Sequence, residues 1–270
     1  MSLTLSRKNA IFEQTLLLTK PAARTETRHY LIEGTDIVSQ AIADRSTVIH
    51  SVFMTQLGHD ILKESLSTRA IVTYIVPPSM ITELTGNSYA TPCHAVASLD
   101  QRRTSVKGLA DQQGIILCGE CVQDPRNVGV MIRTADALGC HAILLDAQST
   151  DPWARQSVRS TTGSILRVPI AITATLSETL RKLRELGMCV VATTGSTSLS
   201  LYDSDLTQRP LAIVMGNEQS GISDATRAAA STLVKIPMAE MTLADSLNVT
   251  VAAGITLAEA LRQHGAKNKT

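Results

Sequence analysis

The chain has 270 residues, 44% hydrophobic and 18% charged, which is enough apolar content for two compact cores. A formal net charge of +1 argues against a broadly basic nucleic-acid coat, and 3% aromatic residues argue against base stacking on a Phe/Tyr platform as the main mode of recognition. No apolar run reaches the ~18 residues of a membrane span, and MSLTLSRKNAIFEQ has no long apolar core behind its basic residues, so a cytoplasmic protein without a secretory signal is expected.

Residues 1–105 read as a small α/β unit. A polar helix over 6–19 leads into a basic, Thr-rich stretch, KPAARTETRHY. YLIEG, TVIHSVFM, AIVTYIV and HAVASL then read as strands, alternating with the helices TDIVSQAIADR, HDILKESLS and PPSMITELTG. DQRRTSVKGLADQQG, from Asp100, has few apolar residues and reads as a linker. Residues 106–270 carry a second α/β series. Its strands are GIILCGECV, HAILLD, VPIAI, MCVVATT, PLAIVMG and TLVKIP; its helices are NVGVMIRTADALG, DPWARQSVRS, SETLRKLRELG, ISDATRAAAS and a long last one, SLNVTVAAGITLAEALRQHG. Near-continuous apolar strands predict a parallel sheet covered on both faces. Five cysteines, an odd number, argue against a disulfide framework. Cys118 and Cys121 form a CxxC with no second pair at zinc spacing, so they read as strand-end thiols and no metal site is expected.

Ligands of open parallel sheets bind beyond the carboxyl ends of the strands. Four of those ends carry polar or glycine-containing loops: QDPRN after GIILCGECV, GSTS after MCVVATT, GNEQSG after PLAIVMG, and MAEMTLADSLN after TLVKIP. Glycine there lets backbone approach a ligand closely. No GxGxxG follows the first strand and no GxxxxGK[ST] is present. His141 and His264 are the only histidines of the second half and neither follows a strand, so a Ser/His/Asp hydrolase is poorly supported.

Three blocks, DPRNVGVMIRTADALG, IVMGNEQSGIS and VKIPMAEMTLADSLNVTVAAGI, resemble in order and spacing the three motifs of the SpoU/TrmH branch of the SPOUT RNA methyltransferases. RSTTGSILRVPI, between them, is similar too. The resemblance is strong over 112–270. Over 28–100 it is weaker, to the substrate-binding domain that many of these enzymes carry. It implies S-adenosylmethionine-dependent methylation of a ribose 2′-hydroxyl in structured RNA, most readily 23S ribosomal RNA, by a homodimer with a C-terminal trefoil knot. A tRNA methyltransferase on the same scaffold and a non-catalytic RNA-binding relative are the alternatives. A housekeeping role and an antibiotic-resistance role are both open.

The same resemblance assigns the site. Arg133 lies on the flank of a helix whose core stripe is Val128, Met131, Ile132, Ala135 and Leu138; its plain reading is a solvated arginine. In the site its planar guanidinium would orient a phosphate and the ribose hydroxyl. It is a poor base, because arginine hardly deprotonates in proteins. Asn127 sits where an N-cap belongs, and the resemblance adds it to the catalytic group with Glu218, Ser246 and Asn248. Ser246 would open, and could cap, the last helix. Thr193, Thr194, Gly195, Gly216, Ile236, Met238 and Leu247 are implied to hold the cofactor, with Ile236 and Leu247 closing over the adenine and Gly216 facing it. Arg155 and Arg159, helical i,i+4 neighbours, are candidates for RNA phosphates. On the last helix Val249, Ala252, Ala253 and Leu257 are the expected dimer face.

Overall fold

A computed structural model describes residues 3–4, 7, 9–86, 92–110 and 112–267. The chain divides into two compact units, Met1–Gln101 with Asp151–Leu166, and Arg102–Thr150 with Arg167–Thr270.

The first unit contains β1 (Leu3–Thr4), α1 (Ala10–Leu17), α2 (Pro21–Thr27), β2 (His29–Glu33), α3 (Thr35–Ala43), β3 (Ile49–Met54), α4 (Gln56–Ser67), β4 (Thr73–Ile75), α5 (Pro78–Thr85) and β5 (Ala95–Asp100). The helix expected over 6–19 is shorter than predicted, and Ser6 and Lys8 lie outside the described residues. The sheet runs β1-β4-β3-β5-β2, parallel on the β1 side and antiparallel where β5 pairs with β3 and β2. Phe12, Phe53 and Tyr74 form its aromatic core, with ring centroids 5.7 and 5.1 Å apart. KPAARTETRHY is not irregular. Pro21 supplies the preset φ of a first helical turn, and Arg28, at φ 61°, ends α2 in the left-handed region.

The second unit contains α6 (Val106–Ala110), β6 (Ile115–Gly119), α7 (Pro125–Ala137), β7 (Ala142–Asp146), β8 (Ile170–Thr173), α9 (Leu176–Glu185), β9 (Cys189–Thr193), β10 (Leu211–Met215), α10 (Asp224–Ala229), β11 (Thr232–Val234) and α11 (Val249–Lys267). All six expected strands form, and every pairing in the order β11-β9-β10-β6-β7-β8 is parallel. Every residue of β6, β7 and β10 is buried, as a sheet covered on both faces requires.

Two expectations change. The stretch read as a linker is packed. Arg102 accepts from the Ile170 amide at 2.9 Å and Thr104 donates to the Ile170 carbonyl at 3.1 Å, which docks it on β8. Leu109 of α6 is fully buried with Leu176 and Leu180. The helix expected from DPWARQSVRS forms as α8 (Arg155–Ser160), but it belongs to the first unit. Arg24, itself buried, grips Asp151 at 2.8–2.9 Å, and Arg155 grips Glu33 at 2.7 Å. Ion pairs between residues more than a hundred positions apart leave no local trace in a sequence.

Candidate active site

The sheet order assembles the site. The strands that precede the four polar loops, β11, β9, β10 and β6, are four consecutive strands running in from one edge of the sheet. Register aligns Met215 with Gly119, Val214 with Ala192, and Val234 with Thr193, so these strands end nearly level. The chain leaves β6 in one direction through β7 and β8, then crosses to β9 and β10 on its other side. The β6–β10 boundary is therefore the switch point at which such sheets bind ligands.

At that boundary three side chains meet. Asn127 donates through Nδ2 to Glu218 Oε1 at 2.7 Å, and its Oδ1 accepts from Asn248 Nδ2 at 3.3 Å. Asn127 is not the N-cap; Asp124 is, accepting from the Arg126 amide at 2.8 Å. Asn127 stands in the first turn of α7, where its amide is available to link the β10 loop to α11. Nor does Ser246 cap α11. The helix starts at Val249, and Asn248 caps it by accepting from the Thr250 amide at 2.8 Å. Among the described residues no side-chain hydrogen bond or ion pair engages Ser246 or Arg133, and both are exposed. Arg133 lies off the buried stripe of Val128, Met131, Ile132 and Ala135, while Leu138, expected in that stripe, is half-buried.

Asn217 shapes the β10 loop and was not singled out in the sequence. Its Oδ1 accepts from the amides of Gln219 at 2.9 Å and Ser220 at 3.0 Å, and its Nδ2 donates to the Cys121 carbonyl at 2.7 Å. The GNEQSG turn composition was the available signal. Gly216 is required by the loop itself. A Cβ there would overlap the backbone of Gly221 and Ile222, so the glycine serves the loop's own closure. Glu120, buried at the end of β6, accepts from the Ser223 amide and hydroxyl at 2.9 and 2.6 Å and from the Thr226 hydroxyl at 2.8 Å. A carboxylate at the start of α10 is favoured by the unsatisfied amides there. Asp146, buried at the end of β7, likewise accepts from the amides of Cys121 at 3.0 Å and Ser149 at 2.9 Å. Burial and the adjacent Asp146 push the Cys121 thiol up to about 11. All five cysteines are free thiols.

The residues expected to hold S-adenosylmethionine lie in the loops after β9, β10 and β11. Thr193 spends its hydroxyl on the Val214 carbonyl at 3.2 Å, and the Thr194 amide donates to the Val234 carbonyl at 2.9 Å, so both brace the strand ends. Gly195 differs: a Cβ there meets nothing within 4 Å. Ile236 is half-buried, whereas Met238 and Leu247 are 38% and 36% exposed, so apolar surface is available on the segment after β11. An open glycine beside an exposed apolar edge fits a nucleoside bearing a short charged chain. A cavity of about 560 Å³ in the same unit, lined by Arg184, Cys189, Asp203 and Ser231, opens near the amino end of β9, and none of Thr193, Thr194, Gly195, Gly216, Ile236, Met238 or Leu247 lines it.

A parallel α/β sheet with polar loops gathered at its switch point defines an α/β protein built to bind a ligand there. The comparisons give the family. The SpoU rRNA Methylase family model matches residues 114–258, and the chain belongs to that family. It is 30% identical to a 23S rRNA (guanosine-2′-O-)-methyltransferase RlmB of Nitrosomonas europaea, over 88% of this chain and 93% of that one. It is also 30% identical to an uncharacterized tRNA/rRNA methyltransferase of Synechocystis, over 97% of this chain and 94% of that one. The crystal structure of an AdoMet-bound rRNA methyltransferase from Sinorhizobium meliloti is similar over 97% of both chains, with 32% identity and a TM-score of 0.84.

Proposed function

We propose that this protein transfers a methyl group from S-adenosylmethionine to a ribose 2′-hydroxyl of 23S ribosomal RNA. The observation that carries the reading is the Asn127–Glu218–Asn248 cluster, held where the β6 and β10 loops meet beside the open Gly195 loop. The RlmB relative supports the choice of ribosomal RNA. When bound, S-adenosylmethionine supplies an electrophilic methyl, and the 2′-oxygen that receives it loses its proton. The protein's part is alignment and electrostatics. Asn127, with Oδ1 turned to Asn248 and one Nδ2 hydrogen turned to Glu218, keeps its other Nδ2 hydrogen for the ribose. Exposed Arg133 supplies a fixed positive charge to the adjoining phosphate and to the hydroxyl oxygen. Gly195, Ile236, Met238 and Leu247 hold the nucleoside, and Ser246 lies on the loop that borders it.

The first unit is the RNA-binding domain of this reading. Arg159 is exposed on α8 and Arg155 grips Glu33, whose carboxyl burial pushes up against the opposing pull of Arg155 and Arg159. The proposal also includes a homodimer, working on ribosomal RNA in the cytoplasm. Val249, Ala253 and Leu257, expected at the dimer face, are buried in the single chain, where α11 packs on α7 and β10. The face of α11 left for a second copy carries Val251, Ala258 and Leu261. The trefoil knot belongs to the same proposal: the chain leaves β11 at the sheet edge yet returns as α11 against α7 and β10. No helix among the described residues is long and apolar enough to cross a membrane.

The test is mass mapping of ribose methylation in RNA from cells with and without the gene. One 23S ribose methyl should vanish on deletion and return with the wild-type gene but not with Arg133→Ala. Loss of a tRNA ribose methyl with ribosomal RNA unchanged would overturn the substrate.

A further inference from the structure

We propose that His29, His50 and Asp100 form a binding site for a divalent transition-metal ion such as zinc, clamping three strands of the first unit. His29 and Asp100 are direct cross-strand partners on β2 and β5. His50 reaches them because the β3–β5 register shifts between Ile49 and Ser51, which makes His50 the extra residue of a bulge. Bulges re-aim side chains in this way. His29 Nε2 lies 3.1 Å and His50 Nε2 2.6 Å from the same oxygen, Asp100 Oδ1, and the two rings lie 3.9 Å apart. The candidate ligand atoms of all three residues fall within 4.8 Å of one another. Zinc holds nitrogen and oxygen ligands at about 2.0–2.2 Å, so tetrahedral ligand atoms stand about 3.3 Å from one another. The two histidine nitrogens stand 3.1 and 2.6 Å from Asp100 Oδ1, about 0.2 and 0.7 Å inside that spacing.

The donor set selects the ion. Two imidazoles with one carboxylate suit zinc, nickel or copper, whereas magnesium and calcium prefer oxygen throughout. Hydrogen bonding alone explains the convergence less well: both rings crowd Oδ1, while Oδ2 accepts no hydrogen bond among the described residues. The three side chains are 32%, 38% and 46% exposed, so solvent reaches the site and water completes the coordination. No part of this site enters the methyl-transfer reading, and its failure would leave that reading intact.

The experiment uses tag-free full-length protein, stripped with chelator and with accessible thiols blocked by iodoacetamide. Zinc chloride is titrated by calorimetry, with thermal melts in parallel. One zinc per chain and a rise in Tm are expected, because a ligand that binds only the folded state stabilises it. The same concentration of magnesium should do neither. His50→Ala and Asp100→Asn should each weaken zinc binding at least about tenfold and erase the Tm rise. Asn at 100 keeps an acceptor for the rings, so that variant tests ligation rather than hydrogen bonding. His59→Gln, at a histidine outside the site, should bind as the wild type does. The proposal is overturned if the wild type binds no stoichiometric zinc, or if both site variants bind it with wild-type affinity.

Discussion

Arg133 shows how a residue can matter for chemistry and not for folding. It is exposed on α7, off the buried stripe, and its side chain has no hydrogen-bond or ion-pair partner among the described residues. Arg133→Ala should therefore change stability by no more than about 1 kcal/mol, while loss of a preorganised charged donor should slow methylation ~100-fold or more. Arg133→Lys should recover little, since an ammonium keeps the charge without the planar fork. Single-turnover methylation run beside thermal unfolding separates the two effects, and wild-type turnover by Arg133→Ala would remove the arginine from the site. Cys121 is the opposite case, a half-exposed thiol kept quiet. With its thiol pushed up to about 11 by burial and Asp146, its alkylation at pH 8 should run at least about tenfold slower than that of free cysteine, because the thiolate is the nucleophile. Asp146→Asn should speed it, as followed by mass spectrometry of the modified peptide.

The loops after β9 and β10 each hold a glycine, and the two glycines serve different ends. Gly195 has open space where a side chain would go, whereas Gly216 is pressed against the backbone of Gly221 and Ile222. Gly195→Val should melt like the wild type yet bind S-adenosylmethionine at least about tenfold more weakly in calorimetry, if the nucleoside occupies that space. Gly216→Ala should lose both stability and affinity, since the 217–221 turn must open to admit even one methyl. Unchanged affinity in a folded Gly195→Val would move the cofactor elsewhere. α7 and α11 matter as elements because each brings one member of the cluster: Asn127 comes from the first turn of α7, and Asn248 comes from the cap of α11.

At the scale of the molecule, the buried Val249, Ala253 and Leu257 show that the inner face of α11 is spent on its own chain. Val251 and Leu261 are each 49% exposed on the other side. Sedimentation at micromolar concentration should show a dimer, and Leu261→Glu should shift it toward a folded monomer, because a charge there would be buried only in the assembly. A wild-type monomer at that concentration would end the dimer proposal.

The amino-acid sequence marks all six strands of the second unit, most plainly β6, β7 and β10, because a strand buried on both faces reads as a continuous apolar run. It also marked the loops that hold Asn127, Gly195, Glu218 and Asn248, because turn-forming and polar residues interrupt those runs where the strands end. Glu120 and Asp146 were less visible: a buried acid looks like any other acid until its amide partners are known. Tertiary packing sets β11, β9, β10 and β6 side by side and brings Asn127 to Glu218 from 91 positions away. It alone placed α8 with the first unit through Arg24–Asp151 and Arg155–Glu33, turned the supposed linker into a packed segment on β8, and faced His50 toward His29 and Asp100. Periodicity, caps and turns are set by neighbours within a few residues, whereas strand order and ion-pair choice are set by which distant surfaces bury together.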